Sequence, residues 1–482
     1  MAHAVAWTGA ATWATQLITW ICAITVARWL TPSDYGLIGM ANVFLGLLTV
    51  ANDFGLGAAV VVIPDLSKDQ VSQLNTVAMG SGVVLFGVSC IAAYPLGYFF
   101  RARNLPIVLV SLSLVLVISS FKIIPDALLQ REFRFKLLAQ IQAAQAVSCV
   151  GATMLSVLLG AGYWSLVVGS LSGSLVSTLL VLRSRRHPCA WPRLVALRRS
   201  LLFGWDITAQ RILWYCYYNS DFAIAGRVLG SAALGSYNVA WVLAEQPLQK
   251  FTDLITRVVP PYFSSIQNNE AALGNYVLTI TRALSLLMFP ATLGLAVVAD
   301  DLIAVVLGPK WLSSVVPLRI LAVYAAARSI TTIFSPLLNV RGQSRFVMWN
   351  NLLATLYFVP GFYLGSRWGI VGIALVWPFL FPFVAIPLFF RMCKQVGLSL
   401  RAYTASLRPA LSGSLIMVIC LLILKSALPL HAPYLRLLIE IVTGAAIYCT
   451  VVAVLYPVQL RRLWTQIRTP APQAPAFAPE GL

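Results

Sequence analysis

Four ionisable residues interrupt an otherwise apolar stretch, WVLAEQPLQKFTDLITRVVPP (Trp241–Pro261): Glu245, Lys250, Asp253 and Arg257. On a helix Lys250, Asp253 and Arg257 share one stripe, and Asp253–Arg257 is a favourable i, i+4 pair. Glu245 lies about 140° around the axis from Lys250, so that stripe cannot neutralise it. Pro247, two residues on, removes a backbone donor and is expected to kink the helix. A second stretch, TAQRILWYCYYNSD, carries Gln210, Arg211, Trp214 and Tyr218, and Asp53, Lys122 and Arg328 stand singly in other apolar runs. Arginine's planar fork donates to two phosphate oxygens at once, and lysine adds a compact charge, so a set of such cations can replace the hydration of a phosphate or diphosphate. Aromatic faces with nearby amides suit a sugar. A carboxylate among them is either half of an ion pair, with Arg211 and Arg328 as candidate partners, or a proton or cation site. The Lys250 stripe has two readings, a solvated interfacial face or substrate contact.

Composition says what must hold these groups in place. Of 482 residues 59% are hydrophobic and only 10% charged, against about 45–50% and about 25% in soluble domains. Mean hydropathy is +0.84. Most of the chain therefore belongs in lipid. The excess of Lys and Arg over Asp and Glu, 34 against 15, is what basic loops on one side of a membrane produce and does not indicate nucleic acid. The eight cysteines are scattered without C-x-x-C spacing, giving neither a disulfide framework nor a metal site. No G-x-x-x-x-G-K-[ST] is present, so no nucleotide-driven motor is encoded. Asp300 and Asp301 point apart on a helix, so they read as a helix end and not as a catalytic carboxylate pair. His3, His187 and His431 lie near termini or loops and read as solvated. The N-terminus lacks a basic n-region and is read as a retained first span.

Cutting at charge, Pro and Gly clusters yields about fourteen candidate spans of roughly 20 residues each. Lys and Arg concentrate in alternate connections, among them QREFRFK, RSRRHPCAWPRLVALRRS, RMCKQVGLSLR and RRLWTQIR. The positive-inside rule then places both termini in the cytoplasm. The opposite side carries Trp29, Tyr35, Tyr163, Trp164, Trp311 and Trp368, as an aromatic belt would. A faint repeat aligns RWLTPSDYGLIGMANVF with RVLGSAALGSYNVAWVL at an offset that takes Arg28 to Arg227. It supports two six-helix lobes around a central cavity plus an appended helix pair. The expected organisation is an N-lobe over 1–182, a basic linker over 183–199, a C-lobe over 200–394, two further helices over 395–457 and a Pro/Ala-rich tail over 458–482.

A charge at mid-bilayer costs about 2.5–3.5 kcal/mol, so such groups are expected to face a wet cavity or one another. Counting helical rise puts Glu245 near mid-depth, and Arg211, Asp53 and Lys122 in the cytoplasmic half. The candidate substrate site is therefore Arg211, Glu245, Lys250, Arg257, Arg328, Asp53, Lys122, Gln210, Trp214 and Tyr218.

The segments LTPSDYGLIGMANVF, DFGLGAAVV, GRVLGSAALGSYNVAWVLAEQPLQ, RVVPPYFSSIQ, FPATLGLAVVADDLIAVVLGPKW and LLNVRGQSR resemble the Wzx-type polysaccharide flippases. The likeness runs from about Trp7 to about Tyr456 and is nearest the branch of colanic-acid, capsule and teichuronic-acid exporters, within the superfamily that also holds the lipid II flippase and the MATE drug exporters. One departure is the N-terminus, which lacks the basic residues such proteins often carry before helix one. The resemblance implies an inner-membrane protein of two lobes and fourteen helices, moving an undecaprenyl-diphosphate-linked oligosaccharide to the periplasmic leaflet by alternating access. Its implied partners are that lipid-linked glycan, membrane lipids, and the polymerase and export machinery of the same pathway. No cofactor is expected, and coupling to protons, sodium or the membrane potential is open. A MATE-like cation exporter predicts an acidic cavity, against the basic one read here. A membrane-embedded polymerase or glycosyltransferase predicts a large external loop, which this chain lacks.

Overall fold

A computed structural model of the chain describes residues 19–457 and 459, apart from 54, 64–65, 133, 186, 266–269 and 428–431. Within the helices it also leaves out the side chains at 53, 58, 62, 194–196, 198–207, 209–210, 247, 250–265 and 271. Among the described residues the chain is helical throughout, with no strand. Residues 19–29 form α1. It is followed by α2 (Pro32–Asp53), α3 (Leu56–Val62), α4 (Lys68–Phe100), α5 (Leu105–Ser120), α6 (Ile123–Arg131), α7 (Phe135–Leu158), α8 (Trp164–Ser184) and α9 (Leu194–Ile224). Then come α10 (Ser231–Ser265), α11 (Glu270–Leu302), α12 (Val315–Thr331), α13 (Phe334–Val340), α14 (Ser344–Gly365), α15 (Gly369–Val396), α16 (Leu400–Ala427) and α17 (Pro433–Leu455).

Nine helical segments among the described residues are long and apolar enough to cross a membrane. One of them, Ser344–Val396, contains both α14 and α15. The pair α5 and α6, bent by 43°, would make a tenth. The long helices α9 and α10 are not among the nine; they carry most of the charged and polar residues singled out above. The expected first span, centred near residue 16, lies outside the described residues, so the count of fourteen is not reached here.

The chain divides into two compact units: the described parts of Met1–Asn238 with Phe362–Ile370, and of Val239–Gly361 with Val371–Leu482. In the first unit α4 starts with a capping box. Gln70 N–H donates to Ser67 Oγ (3.1 Å), and Ser67 N–H donates back to Gln70 Oε1 (3.0 Å), satisfying two donors that a helix start leaves over. The first turns of α2 and α10 cross backbone to backbone. A Cβ on Gly36 would run into the Ser231 carbonyl, and one on Gly235 into the Pro32 carbonyl. Ser33 and Ser231 hydroxyls bond across the crossing at 2.9 Å. Gly36 and Gly235 are equivalent positions of the repeat, so the two copies meet reciprocally at their own glycines.

In the second unit α11 is flanked by α12, α16 and α17, and Tyr448 of α17 donates to the Leu286 carbonyl at 2.6 Å. Asp300 and Asp301 stand in the last turn of α11, where the negative end of the helix dipole disfavours carboxylates. Cations from three other helices compensate. Arg319 (α12) and Lys425 (α16, 3.2 Å) engage Asp300, while Lys425 (3.1 Å) and Arg436 (α17, 2.8 Å) engage Asp301. Buried Glu440 completes the group 3.5 Å from Arg436.

Candidate functional site

The 43° break between α5 and α6 creates the polar interior of the first unit. Ending a helix inside a span leaves carbonyls that lipid cannot satisfy. Here side chains take them over. Leu116 O accepts from Asn52 of α2 and from Ser119 (both 3.3 Å), Val117 O from Ser120 (2.7 Å), and Ile118 O from Thr178 of α8 (3.1 Å). Lys122 sits at the break, and its Nζ donates to Ser177 Oγ of α8 at 2.7 Å.

Beside the break lies a cavity of about 600 Å³. Lys122 and Arg211 bring positive charge to it, and Asn52, Gln142 and Gln145 bring amides. Asp126 and Gln130 follow Lys122 along one helical stripe, and the Gln130 amide donates to Asp126 Oδ2 at 2.9 Å. Two cations and a row of neutral donors and acceptors suit an anionic group attached to a hydroxyl-rich one. On α9, Arg211, Trp214 and Tyr218 occupy one face. The Trp214 and Tyr218 rings stack at 4.7 Å and 17°, with Trp214 still 42% exposed. Tyr215 anchors α9 to α2 by donating to the carbonyls of Asn42 (3.1 Å) and Val43 (3.0 Å).

The second unit holds the other pair of site residues. Glu245 of α10, 2% exposed, is bound by the Arg328 guanidinium of α12. Of the two candidate partners offered by the sequence, Arg328 is one that engages Glu245. One helical turn earlier on each helix stand Trp241 and Tyr324, with ring centroids 6.3 Å apart and Trp377 at 5.1 and 5.0 Å from them. The ion pair therefore has a layer of buried aromatic rings one turn away, and this apolar neighbour strengthens its attraction.

Of the ten residues singled out, the cavity gathers Lys122 and Arg211, α9 adds Trp214 and Tyr218 on the Arg211 face, and Glu245 and Arg328 pair within the second unit. The side chains of Asp53, Gln210, Lys250 and Arg257 lie outside the described residues. The sequence reading missed Asn52, Gln130, Gln142, Gln145 and Ser177, because a search for charge passes over neutral amides and hydroxyls, and it missed Asp126 because it took Lys122 singly and not with the charge one turn further on. The i, i+4, i+8 run Lys122, Asp126, Gln130 within an apolar stretch was the available signal. Arg227 donates to the Phe99 carbonyl at 2.6 Å and lies over that ring, and Asp221 accepts from Tyr237 at 2.7 Å.

Together these elements define an all-helical, multi-pass membrane protein with a polar interior cavity. Its fold is that of the lipid II flippase MurJ in an inward closed conformation, with a TM-score of 0.78 at 14% identity, covering 94% of this chain and 100% of that one. The chain belongs to the family described as polysaccharide biosynthesis protein, whose model matches residues 25–316. It is 28% identical over 395 residues to the lipopolysaccharide biosynthesis protein WzxC of Escherichia coli (strain K12), covering 79% of each chain. It is 24% identical over 412 residues to the teichuronic acid biosynthesis protein TuaB of Bacillus subtilis (strain 168), covering 84% of this chain and 85% of that one.

Proposed function

We propose that the chain is a flippase, a carrier and not an enzyme, that moves an undecaprenyl-diphosphate-linked oligosaccharide across the inner membrane by alternating access. The glycan is built into a surface polysaccharide after transfer from the cytoplasmic to the periplasmic leaflet. The observation that carries this reading is the cavity in which Lys122 and Arg211 stand beside Asn52, Gln142 and Gln145. The cations take the diphosphate, the amides and the Trp214–Tyr218 face take the sugars, and the polyprenyl tail stays in lipid. Family membership and the names of the relatives support the same substrate class. Both termini face the cytoplasm in this reading, which requires no cofactor and leaves protons, sodium or the membrane potential as the driving force. A MATE-like exporter of organic cations fits less well, because among the described residues the cavity's cations, Lys122 and Arg211, outnumber its carboxylate, Asp126, which already accepts from Gln130.

The test is the sidedness of lipid-linked glycan in cells whose own copy is removed. Restoring the chain is expected to return the glycan to the periplasmic leaflet, whereas Lys122→Ala/Arg211→Ala inserts normally but leaves it cytoplasmic. Even distribution in the absence of the chain refutes the reading.

A further inference from the structure

The connection from α8 to α9 is basic, and it is fastened to the start of α4. His187 Nε2 and Ser72 Oγ are 3.2 Å apart, and Asn75 donates to the His187 carbonyl at 3.3 Å. Thr76 Oγ1 donates to the Ala190 carbonyl at 2.8 Å, Ala190 N–H donates to Ser72 O at 3.4 Å, and Arg193 N–H donates to Gln73 Oε1 at 3.0 Å. Residues 187–193 are therefore held against α4 rather than trailing in solvent. Arg185, in the same connection, is taken by Glu132 at 2.8 Å.

Just before it, a recess of about 590 Å³ opens between Leu179, Leu182, Arg183 and His187. It is divided by chemistry. Leu179 and Leu182 belong to the apolar body of α8, and Leu179 is 56% exposed, as a lipid-facing residue is. Arg183 stands in the last turn of α8, where the span ends, and its guanidinium makes no hydrogen bond or ion pair among the described residues. The fastened loop supplies the polar wall through His187. An apolar slot that ends in a cation at the edge of a span matches a phospholipid, with an acyl chain along the leucines and a phosphate at the arginine. A basic recess of this kind favours anionic headgroups.

We propose that this recess is a binding site for an anionic phospholipid of the surrounding bilayer, its phosphate held by Arg183 and its glycerol and upper acyl chain by Leu179 and Leu182. The site is separate from the cavity of Lys122 and Arg211 and shares no residue with it. It is independent of which molecule the chain carries. The fixed loop makes the recess a standing feature of the protein's edge, so occupation needs no rearrangement of the chain.

Native mass spectrometry of the full chain in detergent, titrated with phosphatidylglycerol or phosphatidylcholine, tests the assignment. A cation near a membrane surface contributes about 1 kcal/mol, so preference for phosphatidylglycerol at one site is expected to be about fivefold. Arg183→Ala is expected to abolish it. Arg103→Ala, in the turn between α4 and α5, is expected to keep it, and unchanged thermal unfolding shows that the variants fold. Arg183→Gln serves in place of Arg183→Ala should the latter unfold. Equal retention of the two lipids by the native chain overturns the proposal, as does a preference that survives loss of Arg183. Displacement of bound phosphatidylglycerol by millimolar inorganic phosphate also overturns it, by showing a free-phosphate site without a contribution from the acyl chain.

Discussion

Glu245 and Arg328 illustrate how a single residue pair separates stability from function. Removing one partner of a buried ion pair leaves an uncompensated charge, at a cost of about 3–5 kcal/mol, whereas replacing both by apolar groups of similar size is close to neutral. Glu245→Ala is therefore expected to lower unfolding stability in detergent by that amount. Glu245→Leu/Arg328→Met is expected to recover most of it, yet not to restore glycan transfer if the pair serves transport. Full transfer by the double variant would reduce the pair to a structural role. That Glu245 is not neutralised by the charges of its own helix was legible in the sequence, because helical angle alone excluded the Lys250 stripe. Which partner it takes was not, since it depends on how α10 packs on α12, and that is set by the Trp241–Tyr324 contact one turn away.

The loop over α4 depends on His187, whose imidazole is held below its usual value of 6.5 by burial first and by Arg185 second, with the backbone of Lys68 pulling the other way. A lowered value means that the folded chain prefers the neutral ring. The stabilising contribution is present above pH 6.5 and is lost as pH falls through the lowered value. Amide protection at Ala190 and Arg193, corrected for intrinsic exchange, is expected to fall on acidification, and His187→Gln is expected to flatten that dependence. In the second unit, Asp301→Asn weakens two cation contacts at the end of α11 and is expected to cost about 1.5–3 kcal/mol. The check is faster hydrogen exchange in the first turn of α17 than in its last. The sequence marked Asp300 and Asp301 as a helix end. It could not show that three helices supply cations there, because Arg319, Lys425 and Arg436 are brought together only by folding.

At the scale of the whole molecule, the helical membrane class was legible throughout, because hydropathy and the positions of Pro and Gly are local signals. The cavity was only half legible: its cations stood out against lipid, but its amides did not, and the break that assembles them lies in an apolar run. The repeat acquires a physical meaning at the Gly36–Gly235 crossing. Gly36→Ala and Gly235→Ala each force backbones apart and are expected to cost about 1–3 kcal/mol by overpacking. Gly151→Ala, with open space around it, is expected to be tolerated. Denaturant unfolding in detergent distinguishes them, and equal stability of all three would discard the close crossing.

The bend between α5 and α6 also sets where solvent can enter. Lipid offers nothing to a backbone that leaves the helix within a span, and the adjoining cavity is a place from which water can reach it. Wetting from the cavity is thus expected at the bend, and the peptide groups of Phe121 and Lys122 are expected to take up deuterium faster than those in the middle of α5.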